Sequence, residues 1–277
     1  MKLIRFGEKG SERPGLLQGE NIVDLRRVFP EIPDIGETFF RQGWIEKVSE
    51  VSESGEKMDI RLGPPVAKPS KIICLGKNYA EHAKEGGFDN PESPLLFCKT
   101  GNTLNGPYDP ILLPQSSGKV DWEVELAVVI GKEGKRIARE SALEHVAGYT
   151  VMNDVSGREA QFADSQWFRG KSFDTFAPLG PALVTPDEIA DVQDLQLTAI
   201  VDGEVMQSGN TRDMIFDIPA IIEDISHDIT LLPGDIISTG TPSGVGIFRD
   251  PPVVLKAGNV VECRIEGIGV IINEVIA

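Results

Sequence analysis

Along most of the chain, apolar residues come in short runs that break at Gly, Pro or Asp. The runs 71–76 (KIICLG), 123–131 (EVELAVVIG), 147–154 (AGYTVMND), 195–203 (LQLTAIVDG), 235–240 (DIISTG), 260–267 (VVECRIEG) and 269–276 (GVIINEVI) predict strands. Helical spacing is rarer. It occurs at 78–85 (NYAEHAKE), 138–146 (ARESALEHV), 157–165 (GREAQFADS) and 214–227, where Ile215, Ile218, Ile221, Ile222 and Ile225 recur at helical intervals despite Pro219. The pattern predicts a β-rich α+β fold. At the N-terminus, KLIRFG and NIVDL read as a hairpin-like pair separated by the Gly/Pro-containing EKGSERPGLLQGE, followed by a short amphipathic stretch at Thr38–Val51. The segment GPPVAKPSK (63–71) has the composition of an extended linker. These features divide the chain into a small N-terminal α+β domain, 1–65, and a larger domain, 66–277.

Composition narrows the partners. With 27 Lys and Arg against 43 Asp and Glu, the formal charge is −16, which repels phosphate backbones and anionic lipid. Neither nucleic acid nor a membrane is expected as a partner. An anionic ligand would need local cations or a bound metal to reverse the field. Cys74, Cys98 and Cys263 are odd in number and form no CxxC pair, so no disulfide framework or structural zinc site is expected. Charges at Lys2, Arg5, Glu8 and Lys9 interrupt any signal-like apolar stretch. Together these point to a soluble, cytoplasmic protein.

The strand around Trp122–Ile130 carries two glutamates, Glu123 and Glu125, which a period of two places on one face. That face also holds Ala127 and Val129, so the carboxylates have apolar company and would need protons or a cation. Asp154, 29 positions after Glu125, ends the next apolar strand and could complete an oxygen-rich set of the kind Mg²⁺, Mn²⁺ or Ca²⁺ accepts. Carboxylates are mostly exposed, so on spacing alone a half-solvated strand face is the more ordinary reading of the pair, and the apolar neighbours together with Asp154 bring the two readings level. His145 and His227 read as surface or structural histidines.

The motifs LGKNYAEHAKE (75–85), DWEVELAVVIG (121–131), GYTVMNDVSGREAQ (148–161), GKSFDTFAPLGP (170–181) and PGDIISTGTPSGVG (233–246) occur in an order that resembles the fumarylacetoacetate hydrolase family. Within it, the N-terminal extension and QWFRGKSFDTFAPLGP are most similar to the diketo-sugar-acid branch. The resemblance implies a mixed β-sandwich roll and a homodimer. It also implies one Mg²⁺ or Mn²⁺ on Glu123, Glu125 and Asp154, and a water-activating dyad of His82 and Glu85. By the same resemblance Lys171 lies near the metal and stabilises an oxyanion. Arg158, Gln161 and Thr241 bind substrate, and GGFDNPESP (86–94) forms a lid.

The activity so implied is hydrolysis of the C–C bond of an acylpyruvate, a small anionic 2-keto acid such as fumarylpyruvate or 2,4-diketo-3-deoxy-L-fuconate. Water activated by His82–Glu85 would attack the C4 carbonyl, giving pyruvate and an acid. The alternatives on the same site are oxaloacetate decarboxylation and isomerisation of 2-hydroxyhepta-2,4-diene-1,7-dioate. Further off stand ureidoglycolate lyase activity and a non-catalytic scaffold.

Overall fold

The computed structural model describes residues 1–277. Its principal strands are β1 (Lys2–Phe6), β2 (Arg13–Gln18), β3 (Asn21–Asp24), β4 (Ile72–Gly76), β5 (Leu95–Lys99), β6 (Val124–Ile130) and β7 (Val146–Asn153). They continue with β8 (Ala177–Val184), β9 (Gln196–Val201), β10 (Glu204–Asn210), β11 (Ile236–Ser238), β12 (Val260–Ile265) and β13 (Gly269–Ile276). Every run read as a strand from its apolar pattern contains one. The larger sheet has 12 strands, and its main path runs β3-β2-β1-β8-β7-β6-β11-β4-β5. A second sheet runs β10-β9-β12-β13 and ends on Ile111–Leu112. The result is the expected α+β, β-rich sandwich, with short helices filling its edges.

The two faces of β6 go to different places. Val124, Leu126, Val128 and Ile130 enter a 34-residue apolar layer with Leu197 and Ala199 of β9 and Val261 and Cys263 of β12. Each Val, Leu or Ile among them contributes about 1.5–3 kcal/mol by leaving water. Ala127 and Val129 instead face a 21-residue cluster that includes Phe39, Trp44 and Val48. Those three come from helices α1 (Glu37–Arg41) and α2 (Trp44–Ser49), which the left-handed Gly43, φ +65°, separates.

The N-terminal hairpin reading is corrected in one respect. The segment taken as a connector holds β2, which pairs with β1 on one side and β3 on the other. Pro14 and Gly15 disguise it. A Cβ at Gly15 would lie 2.8 Å from the Phe6 ring, so the bare glycine makes room for a core aromatic rather than marking a turn. The isoleucine-rich helix α6 (Ile218–Ser226) begins later than its pattern, because Asp217 caps it by accepting from the Ala220 amide. Pro219 falls in its first turn, where no N–H is needed. No helix is long and apolar enough to cross a membrane.

Candidate metal centre and its cavity

Strands β6 and β7 pair antiparallel, with Val124 opposite Asn153 and Glu125 opposite Met152. That register brings Asp154 beside Glu123, whose carbonyl accepts from the Asp154 amide at 2.9 Å. The Glu123 amide donates to the Asn153 side-chain oxygen at 3.1 Å, so the ladder starts at Val124 rather than Trp122. Glu123, Glu125 and Asp154 consequently present carboxylate oxygens within 4.8 Å of one another, all three residues buried.

Cations surround this group unevenly. The Lys171 ammonium, on the short helix α5 (Phe168–Lys171), bridges Glu123 and Asp154 at 2.7 Å each. Lys99, the last residue of β5, donates to Asp154 at 2.6 Å and to the Val155 carbonyl at 3.1 Å. Arg158, which begins the one-turn helix α4 (Arg158–Gln161), holds Glu123 and Asp121 at 2.6 Å each and the Gln161 side chain at 2.9 Å. Burial opposes the charge on Glu123, yet Lys171 and Arg158 hold its carboxyl well below the usual range. Glu125 has no such partner. It accepts only from Ser238 Oγ at 2.5 Å and the Gly240 amide at 2.9 Å. Burial, then the charges of Asp154 and Glu123, push its carboxyl well above the usual range.

This imbalance tests whether the residues fit a metal. Four buried carboxylates, Asp121, Glu123, Glu125 and Asp154, meet three buried cations, Lys99, Lys171 and Arg158. A buried anion without a partner is costly, and a divalent cation beside Glu125 removes that cost while leaving the site able to accept an anion. The all-oxygen donor set suits a hard cation. The residues fit.

A cavity opens on this cluster, walled by Phe97, Trp167, Phe88 and Phe248, and His82 reaches into it from helix α3 (Ala80–Glu85).

 In α3 the i, i+3 spacing puts His82 Nδ1 2.8 Å from Glu85 Oε1, and the other Glu85 oxygen accepts from the Gly244 amide at 2.8 Å. The carboxylate fixes the proton on Nδ1, which leaves Nε2 as the basic nitrogen. Gly244 is left-handed, φ +105°, and a Cβ there would lie 2.2 Å from the Met206 carbonyl, so only glycine allows this approach. Phe88, from the segment read as a lid, packs 6.3 Å from Phe248, which in turn lies 6.0 Å from His82.

The three residues named for substrate binding, Arg158, Gln161 and Thr241, all line the cavity, and the first two are also tied into the ion-pair network. The Thr241 hydroxyl donates to the Val124 carbonyl at 2.9 Å and accepts from Gln207 at 2.8 Å, while its amide makes no hydrogen bond within the protein. His145 bonds the Lys132 carbonyl and His227 lies exposed beside Asp228, both outside this cavity. Sequence reasoning overlooked Lys99, Asp121 and Gln207. Asp121 accepts from Arg158 and from the Ile247 amide, and Gln207 accepts from the Val124 amide, between the two glutamates. The one available signal was polarity at the edge of apolar runs, in LLFCK and DWEVE.

A buried carboxylate trio, a surplus negative charge and a His–Glu pair on one cavity define a metal-dependent enzyme. The chain belongs to the fumarylacetoacetate hydrolase family, whose C-terminal model matches residues 71–276. It is 46% identical over 290 aligned positions to a mitochondrial oxaloacetate tautomerase of Bos taurus, covering the whole chain and 92% of that protein. A fumarylacetoacetate hydrolase of Exiguobacterium antarcticum is 37% identical with a TM-score of 0.87, covering 100% of this chain and 99% of the other. A 2-hydroxyhepta-2,4-diene-1,7-dioate isomerase of Mycobacterium marinum is 35% identical with a TM-score of 0.77, covering 100% and 98%. The chemistry is therefore of the hydrolase or isomerase type on a keto acid. The expectation of a cytoplasmic location is overturned by the tautomerases, which are mitochondrial. Unpaired cysteines report a reducing environment, and more than one compartment provides it.

Proposed function

We propose that the protein interconverts the enol and keto forms of a small dicarboxylic 2-keto acid, with oxaloacetate the first candidate. The observation that carries this reading is the opening of Glu123, Glu125 and His82 onto one aromatic-walled cavity, with the Asp154 carboxylate grouped behind the two glutamates, in a chain 46% identical to an oxaloacetate tautomerase. Mg²⁺ or Mn²⁺ held by the three carboxylates would polarise the keto oxygen and acidify the C3 hydrogens. In the keto-to-enol direction His82 Nε2 removes a proton from C3 and the C2 enolate oxygen takes up a proton; in reverse the enol O–H gives up its proton and the His82 imidazolium delivers one to C3, so no water is consumed and no C–C bond breaks. Glu85 keeps the imidazole in the productive tautomer and stabilises its cation. Lys171 offsets charge that grows on the enolate oxygen. The Thr241 amide receives the C1 carboxylate, and Phe88 and Phe248 keep bulk water from His82.

Cleavage of an acylpyruvate stands second. It is supported by the same dyad, which could deprotonate water, and by a maleylpyruvate hydrolase of Sphingobium, 33% identical with a TM-score of 0.81. The two readings separate in one assay. Enol-oxaloacetate is followed by its ultraviolet absorbance, with pyruvate and CO₂ measured in the same samples and a panel of acylpyruvates run in parallel. Faster loss of the enol without pyruvate is the expected result. Stoichiometric CO₂ would replace it with decarboxylation, and pyruvate formed only from acylpyruvates would restore hydrolysis.

A further inference from the structure

We propose that Lys77 binds the distal carboxylate of the substrate and so selects dicarboxylic over monocarboxylic 2-keto acids. The inference rests on the keto-acid reading above and adds to it the group that recognises the far end. Three Lys or Arg side chains line the cavity: Lys77, Arg158 and Lys171. Arg158 is paired with Asp121 and Glu123, and Lys171 with Glu123 and Asp154. Lys77 makes no ion pair and donates no hydrogen bond. Its ammonium rests 3.9 Å from the centroid of the Phe88 ring, a contact that holds a cation at the cavity wall without neutralising it.

The backbone supports the same assignment. Lys77 is left-handed, φ +59°, a conformation unfavourable for a residue with a side chain. It persists because the next residue is clamped. The Asn78 side chain donates to the Phe216 and Thr239 carbonyls and accepts from the Phe216 amide, at 2.8–3.0 Å. Strain held in this way at a cavity wall is a feature of binding sites. The remaining wall is largely aromatic, with Phe97, Trp167 and Phe248, so a second carboxylate has no other unpaired cation there. In a chain of formal charge −16, a local cation is also what allows a dianion to approach. A carboxylate forms a charge-assisted hydrogen bond with the ammonium, a stronger contact than the ring provides.

The test is isothermal titration of the Mn²⁺-loaded protein with malate and lactate, two unreactive 2-hydroxy acids that differ by a distal carboxylate. Wild type should prefer malate. Lys77→Met should weaken malate by about 10- to 100-fold, the range for losing a hydrogen bond to a charged group, and leave lactate unchanged. Lys77→Arg should retain most of the preference. Lactate binding also reports that the variant is folded. Equal loss of both ligands, no loss of either, or a wild type without preference for malate would overturn the proposal. Binding does not require turnover, so failure of tautomerase activity with an intact malate preference would remove the reaction and leave Lys77 in place.

Discussion

Two networks of charged side chains knit distant segments of this chain together, and only one of them calls for a metal. In the N-terminal network, Arg5 meets Asp34 and Glu12, and Arg61 meets Glu12 and Asp109. In the central network, Lys99, Lys171 and Arg158 meet Asp121, Glu123 and Asp154, with Glu125 left over. Both have one more carboxylate than cations. The Asp34 side chain, however, is 34% exposed, and water absorbs the excess there. Glu125 is 1% exposed, and nothing but a cation or a proton can absorb it. A charge surplus marks a metal site only where solvent is excluded.

The largest expected effect breaks the central network. Glu123→Ala removes a metal ligand together with the partner of Lys171 and Arg158, so activity should fall on the order of a thousandfold or more. Stability should drop by roughly 3–5 kcal/mol, the cost of unpairing a buried ion pair. Single-turnover rates at saturating Mg²⁺ or Mn²⁺ and urea melts measure the two, and near-normal turnover would discard the metal assignment. Chelation with EDTA should abolish activity with little change in circular dichroism, because neither apolar cluster contains a carboxylate of the metal site.

A smaller effect is expected at the dyad. His82→Gln should cost about 10²–10⁴ in kcat while Mn²⁺ affinity holds, which separates proton transfer from metal binding. If Mn²⁺ binding weakened in step with kcat, His82 would belong to the metal site instead.

The smallest effect concerns the solvent-relieved network. Burial raises the pKa of Glu12, but the Arg61 hydrogen bond, its own amide and the charges of Arg5 and Arg61 bring it below the ordinary value. A carboxyl lowered in the native state contributes stability above its unfolded pKa of about 4.3 and loses it as pH falls through the native value. Glu12→Gln should therefore cost on the order of 1 kcal/mol at pH 7, and the gap from wild type should close in acid. Urea melts at both pH values read it, and a gap that widened in acid would reverse the sign.

Much of this molecule was legible in its sequence for a physical reason. A short, nearly continuous apolar run between Gly and Pro punctuation reports a strand buried on both faces, which is why β6 and β7 stand out. The carboxylate trio was legible because Glu123 and Glu125 share a face with Ala127 and Val129, where charge is out of place. Strand β2 was not, since Pro14 and Gly15 carry turn chemistry that the Phe6 ring overrides. Nor were Lys99 and Asp121. A charge at the end of an apolar run looks like a solvated strand terminus, and only the pairing of strands far apart in sequence, with the ion pairs it permits, shows that these ends point inward.

The divided faces of β6 also bear on how the chain avoids misfolding. Side chains alternate strictly along a strand, so sliding β6 by one residue would turn Glu123 and Glu125 to the side of the 34-residue apolar layer and turn Val124 and Leu126 toward the cluster of carboxylates and cations. No small relaxation repairs that exchange. The two glutamates thus act as a ruler during assembly, rejecting a neighbouring register before any substrate is met.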